Sequence, residues 1–436
     1  MKRQSRRGRE TIKTISVALF AAAVGYASVQ PAQAAQPGMY KEKVHYSFCA
    51  LQNCADGAIP QAALIDVNGT LFGTTGGGGA NCLDEGGCGT VFALDRKSGA
   101  ETVIYSFCGQ QNCADGSEPL ASLIDVNGTL YGTTSSGGTY GNGTVFALDP
   151  GTGAETVLYS FCSQPNCADG EYPESSLIDV NGLLYGTTPE GGTDVDPCGE
   201  YGCGTVFSVD PDTGAETVLY AFCSQFGQSG EPECADGFYP EAGLTALNGT
   251  LYGATFYGGP CCDLSGTVFS VDPDTGVENV LYSFCSQENC TDGEGPLAGM
   301  IDVNGTLFGT TAFGGNLQCG CGTAFSFDPA TGAETVLHEF GNHTSTDGAL
   351  PRASLLDVNG TLYGTTFYGG NDNNGTVFSL DPATDAEAVL YSFCRKKNCA
   401  DGANPSASLI AVKDKLYGTA TAGGAHGYGE VFAIKP

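Results

Sequence analysis

The side chains best equipped for chemistry in this 436-residue chain are its 20 cysteines, and their spacing decides what chemistry they do. They fall into local pairs. Six pairs sit in the loops that follow YSF-like segments: Cys49/Cys54, Cys108/Cys113, Cys162/Cys167, Cys223/Cys234, Cys285/Cys290 and Cys394/Cys399. Four more sit in Gly-rich stretches: Cys82/Cys88, Cys198/Cys203, Cys261/Cys262 and Cys319/Cys321. After Phe340 the equivalent segment reads Gly341-Asn342-His343-Thr344-Ser345 and has lost both partners together, as a bonded pair predicts. Zinc is the competing reading, but the pairs lack a second pair at finger spacing. An even count in an exported chain points to disulfides. The pairing of Cys261, Cys262, Cys319 and Cys321 stays open, because so short a loop strains bridge geometry and bridges between neighbouring copies compete.

The remaining chemistry is sparse. An Asp-Gly step recurs at Asp56, Asp115, Asp169, Asp236, Asp292, Asp347 and Asp401. Seven carboxylates could ring a cation, or each Asp could cap a turn that Gly completes. Aromatics begin or follow the Gly-rich loops at Tyr140, Tyr201, Phe256, Tyr257, Phe313, Phe367 and Tyr368. These are the candidate ligand-binding residues, with packing over Gly-rich backbone as the alternative. His338-Glu339-Phe340-Gly341-Asn342-His343 is superficially like a zinc-protease motif, but the histidines are one position too far apart and on no helix. Arg395-Lys396-Lys397 reads as a solvated tip. The outliers His45, His338, Arg352 and His426 come from scattered copies. No nucleophile triad, phosphate loop or distinct carboxylate pair can be singled out, so we assign no catalytic residue, no metal site and no cofactor.

The elements that hold these residues are strands, and no helical periodicity competes with them. Ser122–Phe161 reads as four strands: Leu123–Val126, Leu130–Thr134, Thr144–Asp149 and Thr156–Phe161. Asn127-Gly128 is a hairpin signal, since both turn residues must accept positive φ. The unit recurs seven times, with its first turn at Gly69, Gly128, Gly182, Gly249, Gly305 and Gly360 and a degenerate Lys413-Asp414-Lys415 turn in the last copy. Four-stranded repeats of this period predict an all-β, seven-bladed β-propeller of antiparallel blades. The last copy has three strands, and an extra YSF segment precedes the first. Val44–Phe48 is therefore expected to complete the last blade and close the ring. The two minimal turns of each blade share one face. The long, variable connections, with every cysteine, open on the other.

Residues 1–34 read as a signal peptide, with a basic start, an apolar run and Ala32-Gln33-Ala34 as cleavage site, leaving 35–436 as a single propeller domain. The remainder carries 11 basic against 47 acidic residues, a net charge near −36. Nucleic acid and anionic membranes need basic patches and are excluded as partners.

The pattern Leu-Ile-Asp-Val-Asn-Gly-Thr-Leu-Tyr-Gly-Thr-Thr, Gly-Gly, Gly-Thr-Val-Phe, Asp-Pro-x-Thr-Gly resembles the bacterial Gloeo/Verruco (GloVer) tandem repeat over about 41–436. It is more distantly similar to Kelch propeller repeats, though the chain has no Trp. The resemblance implies an exported, often surface-associated repeat protein and brings no catalytic residues with it. We expect a secreted or periplasmic binding or scaffold module whose partner is an extracellular glycan, a protein or another copy, with no membrane insertion after signal cleavage. A propeller lyase or hydrolase acting on an extracellular polymer is the alternative.

Overall fold

In the computed structural model, residues 40–82, 88–192, 198–225, 234–259, 265–315, 319–341 and 346–436 are described. The leader, Cys261/Cys262 and His343 lie outside them. Seven four-stranded antiparallel sheets follow one another, six of them with their strands in chain order from innermost to outermost. Blade 1 comprises Ile65–Val67, Thr70–Thr75, Thr90–Asp95 and Glu101–Ser106. Blades 2 to 6 repeat that order, and their innermost strands begin at Ile124, Ile178, Thr245, Ile301 and Leu356.

Blade 7 takes Ile410–Val412, Lys415–Ala420 and Glu430–Ile434 from the C-terminus and Glu42–Ser47 from the start of the described chain. Glu42 pairs with Ile434 and Ser47 with Glu430. The closing strand thus begins two residues before the expected Val44. Phe48, just past its end, is fully buried against Phe92 of blade 1.

Two local features explain why the repeat folds this way. At the first turn, Asn127 and Gly128 have φ of +54° and +90°, the left-handed pair that matches strand twist in a two-residue hairpin. On the second strand, Gly132 faces Phe146 across the sheet, and a Cβ there would lie 2.7 Å from that ring. The Gly makes room, and Phe146 fills it. The same ring receives Phe107 of blade 1 edge-on, with centroids 5.2 Å apart. Every junction around the ring repeats this pair, from Phe48–Phe92 to Phe393–Phe432. Edge-on rings are the arrangement their quadrupoles favour.

The loops that carry the cysteines correct the purely strand-and-loop expectation. Cys54, Cys113, Cys167, Cys290 and Cys399 do not lie in irregular loop. Each ends a three-residue 3₁₀ turn, at Gln52–Cys54, Gln111–Cys113, Pro165–Cys167, Glu288–Cys290 and Lys397–Cys399. The N–H of Cys54 reaches back to the Leu51 carbonyl at 3.1 Å, and those of Cys113, Cys290 and Cys399 to Gln110, Gln287 and Lys396 at 3.0 to 3.1 Å. Two bonded cysteines five residues apart force the chain to double back at once, and a three-residue turn does so in the fewest residues. The turn also needs left-handed backbone. The Asn before each of these cysteines supplies it, and Cys54, Cys113, Cys290 and Cys399 themselves take φ of +49°, +52°, +53° and +50°. Units this short leave no periodicity to read in the sequence. Among the described residues, no helix is long and apolar enough to cross a membrane.

Candidate functional site

The recurring aspartates are caps rather than a channel-mouth ring. Asp115 Oδ2 accepts the Tyr105 hydroxyl and the Gly109 N–H, each at 2.8 Å, and Oδ1 accepts the Gln110 N–H at 3.1 Å. The carboxylate therefore holds the cysteine loop to the outermost strand of the preceding blade, away from the channel. Tyr46–Asp56, Tyr159–Asp169, Tyr220–Asp236, Tyr282–Asp292 and Tyr391–Asp401 repeat the contact at 2.6 to 2.8 Å. A glutamate of the following outermost strand completes each junction. Burial first, and the neighbouring Asp second, push Glu101, Glu155, Glu216 and Glu334 up to about 7.

Among the described residues, nine disulfides stiffen this face. The six expected in the lead-in loops are Cys49–Cys54, Cys108–Cys113, Cys162–Cys167, Cys223–Cys234, Cys285–Cys290 and Cys394–Cys399. Five of them, all but Cys223–Cys234, bring their Cα atoms to 3.9 Å across the 3₁₀ turn. Cys82–Cys88 and Cys198–Cys203 are bonded as expected too. Cys319 and Cys321, whose pairing spacing left open, bond to each other. Cys198–Cys203 packs beside Cys223–Cys234, so a Gly-rich loop is braced on the next blade's lead-in loop. Lys396 departs from the expected solvated tip: its Nζ lies 3.0 Å from Glu42 Oε2 on the closing strand.

The seven candidate aromatics do not form one platform. Tyr140 and Tyr201 stand apart on blades 2 and 3, 54% and 64% exposed. Phe256 meets Tyr257 at 4.4 Å and Phe313 at 6.3 Å, and it rests on the backbone of Gly295. Phe238 and Tyr239, missed in the sequence, join Tyr257 at 5.3 and 5.8 Å. The signal for them was an aromatic after Asp236-Gly237, where most copies carry a small or charged residue. Phe367 and Tyr368 pair separately at 4.8 Å, and the Arg352 guanidinium lies 4.5 Å over the Phe367 ring.

What converges is the channel mouth. Each lead-in loop ends in a Pro, and the residue after it points to one cavity of about 140 Å³ on the axis: Gln61, Leu120, Glu174, Glu241, Leu297, Arg352 and Ser406. Below them the walls are Ala, Ser and Gly, drawn so close that a Cβ on Gly299 would lie 2.8 Å from the Gly243 carbonyl oxygen. Glu174 is exposed to the channel yet has protein on several sides. Desolvation, and then Glu241, push it up to about 7. Burial also raises Glu241, and Arg352 partly offsets that. A second hollow of about 410 Å³ opens from the mouth and is shared by Gln61, Arg352, Phe367, Ser406 and Tyr428. The scattered outliers of the sequence thus resolve differently. Arg352 belongs to the mouth, His45 is buried in the closing blade and His426 is exposed.

The Gloeobacter/Verrucomicrobia repeat family matches residues 38–260 and 199–432, nearly the whole ring. The chain belongs to that family. No curated protein matches it. Among solved structures, this repeat protein is similar to an oligogalacturonate lyase from Vibrio parahaemolyticus at 10% identity and TM-score 0.51, over 91% of this chain and 97% of that one. It is also similar to a puromycin hydrolase mutant at 14% identity and TM-score 0.50, over 86% and 53% of the two chains. A nidogen/laminin complex matches at 14% identity and TM-score 0.40, over 70% and 90%. Likeness at such identity is likeness of fold, and one fold carries many functions.

Proposed function

We propose that this repeat protein is an exported, non-catalytic binding propeller that takes an extracellular glycan in the mouth of its channel. The observation that supports this is the ring at the mouth. Seven positions that the repeat makes equivalent carry five chemically different kinds of side chain, while the scaffold around them is kept uniform. Carboxylate, guanidinium, amide and hydroxyl groups beside the Phe367 ring suit a sugar, which needs hydrogen bonds around its edge and an apolar surface for its C–H face. Work outside the cytoplasm fits nine disulfides, which persist in oxidising compartments.

A glycan array probed with the parent protein and with Phe256→Ala and Phe367→Ala tests the reading. Loss of about tenfold or more in affinity, with thermal melting unchanged, is expected for Phe367→Ala. An array without a hit, together with capture of a protein or of a second copy by the same face, would replace the glycan.

A polymer-cleaving enzyme is the second reading, and one observation favours it. Glu174 titrates near neutrality beside Glu241, and a carboxyl poised there can move a proton in catalysis. Release of new sugar ends from an extracellular polysaccharide, abolished in Glu174→Gln, would establish that reading over the first.

A further inference from the structure

Six blade junctions are built from a tyrosine, an aspartate, a glutamate and a cysteine staple. The junction into blade 6 differs in two of these parts at once. His338 stands where the others have tyrosine, and Gly341 stands where the others have the first cysteine of the staple. The aspartate and the glutamate remain, as Asp347 and Glu387. Their ligand atoms and the His338 ring lie within 4.8 Å of one another. His338 Nε2 is 3.4 Å from Asp347 Oδ2, with both side chains buried.

We propose that His338, Asp347 and Glu387 bind one zinc ion, which does at this junction what the cysteine staple does at the other six. The geometry and the donor set both point there. Bonds of about 2.0–2.1 Å to a tetrahedral zinc set neighbouring ligand atoms about 3.3 Å apart, close to the His338–Asp347 separation and longer than a good hydrogen bond. One imidazole nitrogen and two carboxylates are donors that zinc accepts, and solvent takes the fourth position. Asp347 is already held in place. Its Oδ2 accepts the Gly341 N–H at 2.9 Å and its Oδ1 the Gly348 N–H at 2.7 Å, so the carboxylate is oriented by backbone that does not compete for a metal-facing lone pair. Among the described residues, Glu387 Oε1 is buried with no hydrogen-bond partner, as is the matching glutamate oxygen at the other six junctions, and only here does an imidazole stand beside it as a metal donor. A tyrosine at position 338 would offer a neutral hydroxyl to Asp347, as it does elsewhere. Histidine gives the same place a nitrogen ligand.

The site is tested on the full purified chain, stripped with a chelator and titrated with zinc chloride by calorimetry, with thermal melting alongside. One equivalent of tight uptake and a rise in Tm of several degrees are expected. His338→Tyr restores the residue of the other junctions; it should stay folded and bind zinc at least tenfold more weakly. Glu387→Gln serves as the second variant and should lose affinity as well. If both variants misfold, cobalt substitution of the parent decides, through the visible absorption of a four-coordinate ion. Absence of uptake by the parent overturns the proposal and leaves His338 and Asp347 as a buried contact alone. Uptake that is unchanged in both folded variants overturns it too, and assigns the zinc to the acidic surface.

Discussion

The blade junctions and the channel mouth each present seven equivalent positions, and the chain treats them in opposite ways. At the junctions the same Phe pair recurs seven times, with the Tyr-Asp contact in six. At the mouth the residues are Gln, Leu, Glu, Glu, Leu, Arg and Ser. A position that must do the same mechanical work in every blade has one good solution. A position facing a ligand without sevenfold symmetry has no reason to repeat. In a repeat protein, uniformity therefore marks structure, and departure from it marks where to look for function.

The largest expected effect breaks the junction side of this comparison. Phe146→Ala should cost about 3–5 kcal/mol in stability, since the ring is fully buried between two blades and over Gly132. Glu241→Gln at the mouth should stay within about 0.5 kcal/mol, as a nearly isosteric change in no packed core. Chemical denaturation of both variants measures the contrast. Equal losses would mean that the mouth is structural too.

The next effect concerns pH. The junction glutamates Glu101, Glu155, Glu216 and Glu334 are raised to about 7 and Glu278 to about 8, and Glu430 on the third strand of blade 7 is raised to about 9, with burial the first cause in each. Between their unfolded values and these, the native state holds protons that the unfolded chain has released. Their stabilisation is full below the unfolded carboxylate range and is lost as pH rises through 7. The turn aspartates Asp95, Asp149, Asp210, Asp272 and Asp328 are lowered by hydrogen bonds within the turn, so theirs is lost in acid. His45, buried and held down to about 4, also favours the folded state less as pH falls through that value. Calorimetry should find the highest Tm near pH 5, with a decline toward pH 8. A Tm that climbs steadily to pH 8 would show that the junction glutamates are ionised in the folded ring.

A smaller effect sharpens the comparison in the degenerate copy. Lys413 holds φ of +59°, which Asn holds in the other six turns. Lys413→Asn should raise stability by about 0.5–1 kcal/mol, because Asn tolerates the left-handed region better than Lys. A loss of stability there would mean that the lysine makes a contact worth more than the strain.

The fold was legible because its determinants are local and repeated. Asn127-Gly128, Gly132 with Phe146 and the Tyr-Ser-Phe segments each encode one contact and recur until the period cannot be missed. The closure was legible for the same reason, as a count of strands. The cysteine pairs were legible as bonds, but the 3₁₀ turns that end at Cys54, Cys113, Cys290 and Cys399 were not, because three residues are too few to show a period. The mouth was not legible either. Glu174, Glu241 and Arg352 are 178 residues apart from first to last in the chain. No spacing rule links them, and they meet because the ring brings the residue after each lead-in Pro to one axis. Comparing that single column across the copies would have exposed its variety, whereas searching for rare residue types reached Arg352 but set it beside His45 and His426, which lie elsewhere. The aromatics were found by type, but which of them share a surface depended on how the loops lie.

The central proposal is that the varied ring is where this protein meets a ligand. The most direct measurement is glycan-array binding by the parent and by a triple variant, Glu174→Ser, Glu241→Ser and Arg352→Ser, which gives the ring the small polar character of Ser406. The account predicts that the variant melts within a few degrees of the parent and loses its glycan signal altogether. A folded triple variant that binds the same glycans as strongly as the parent would contradict it.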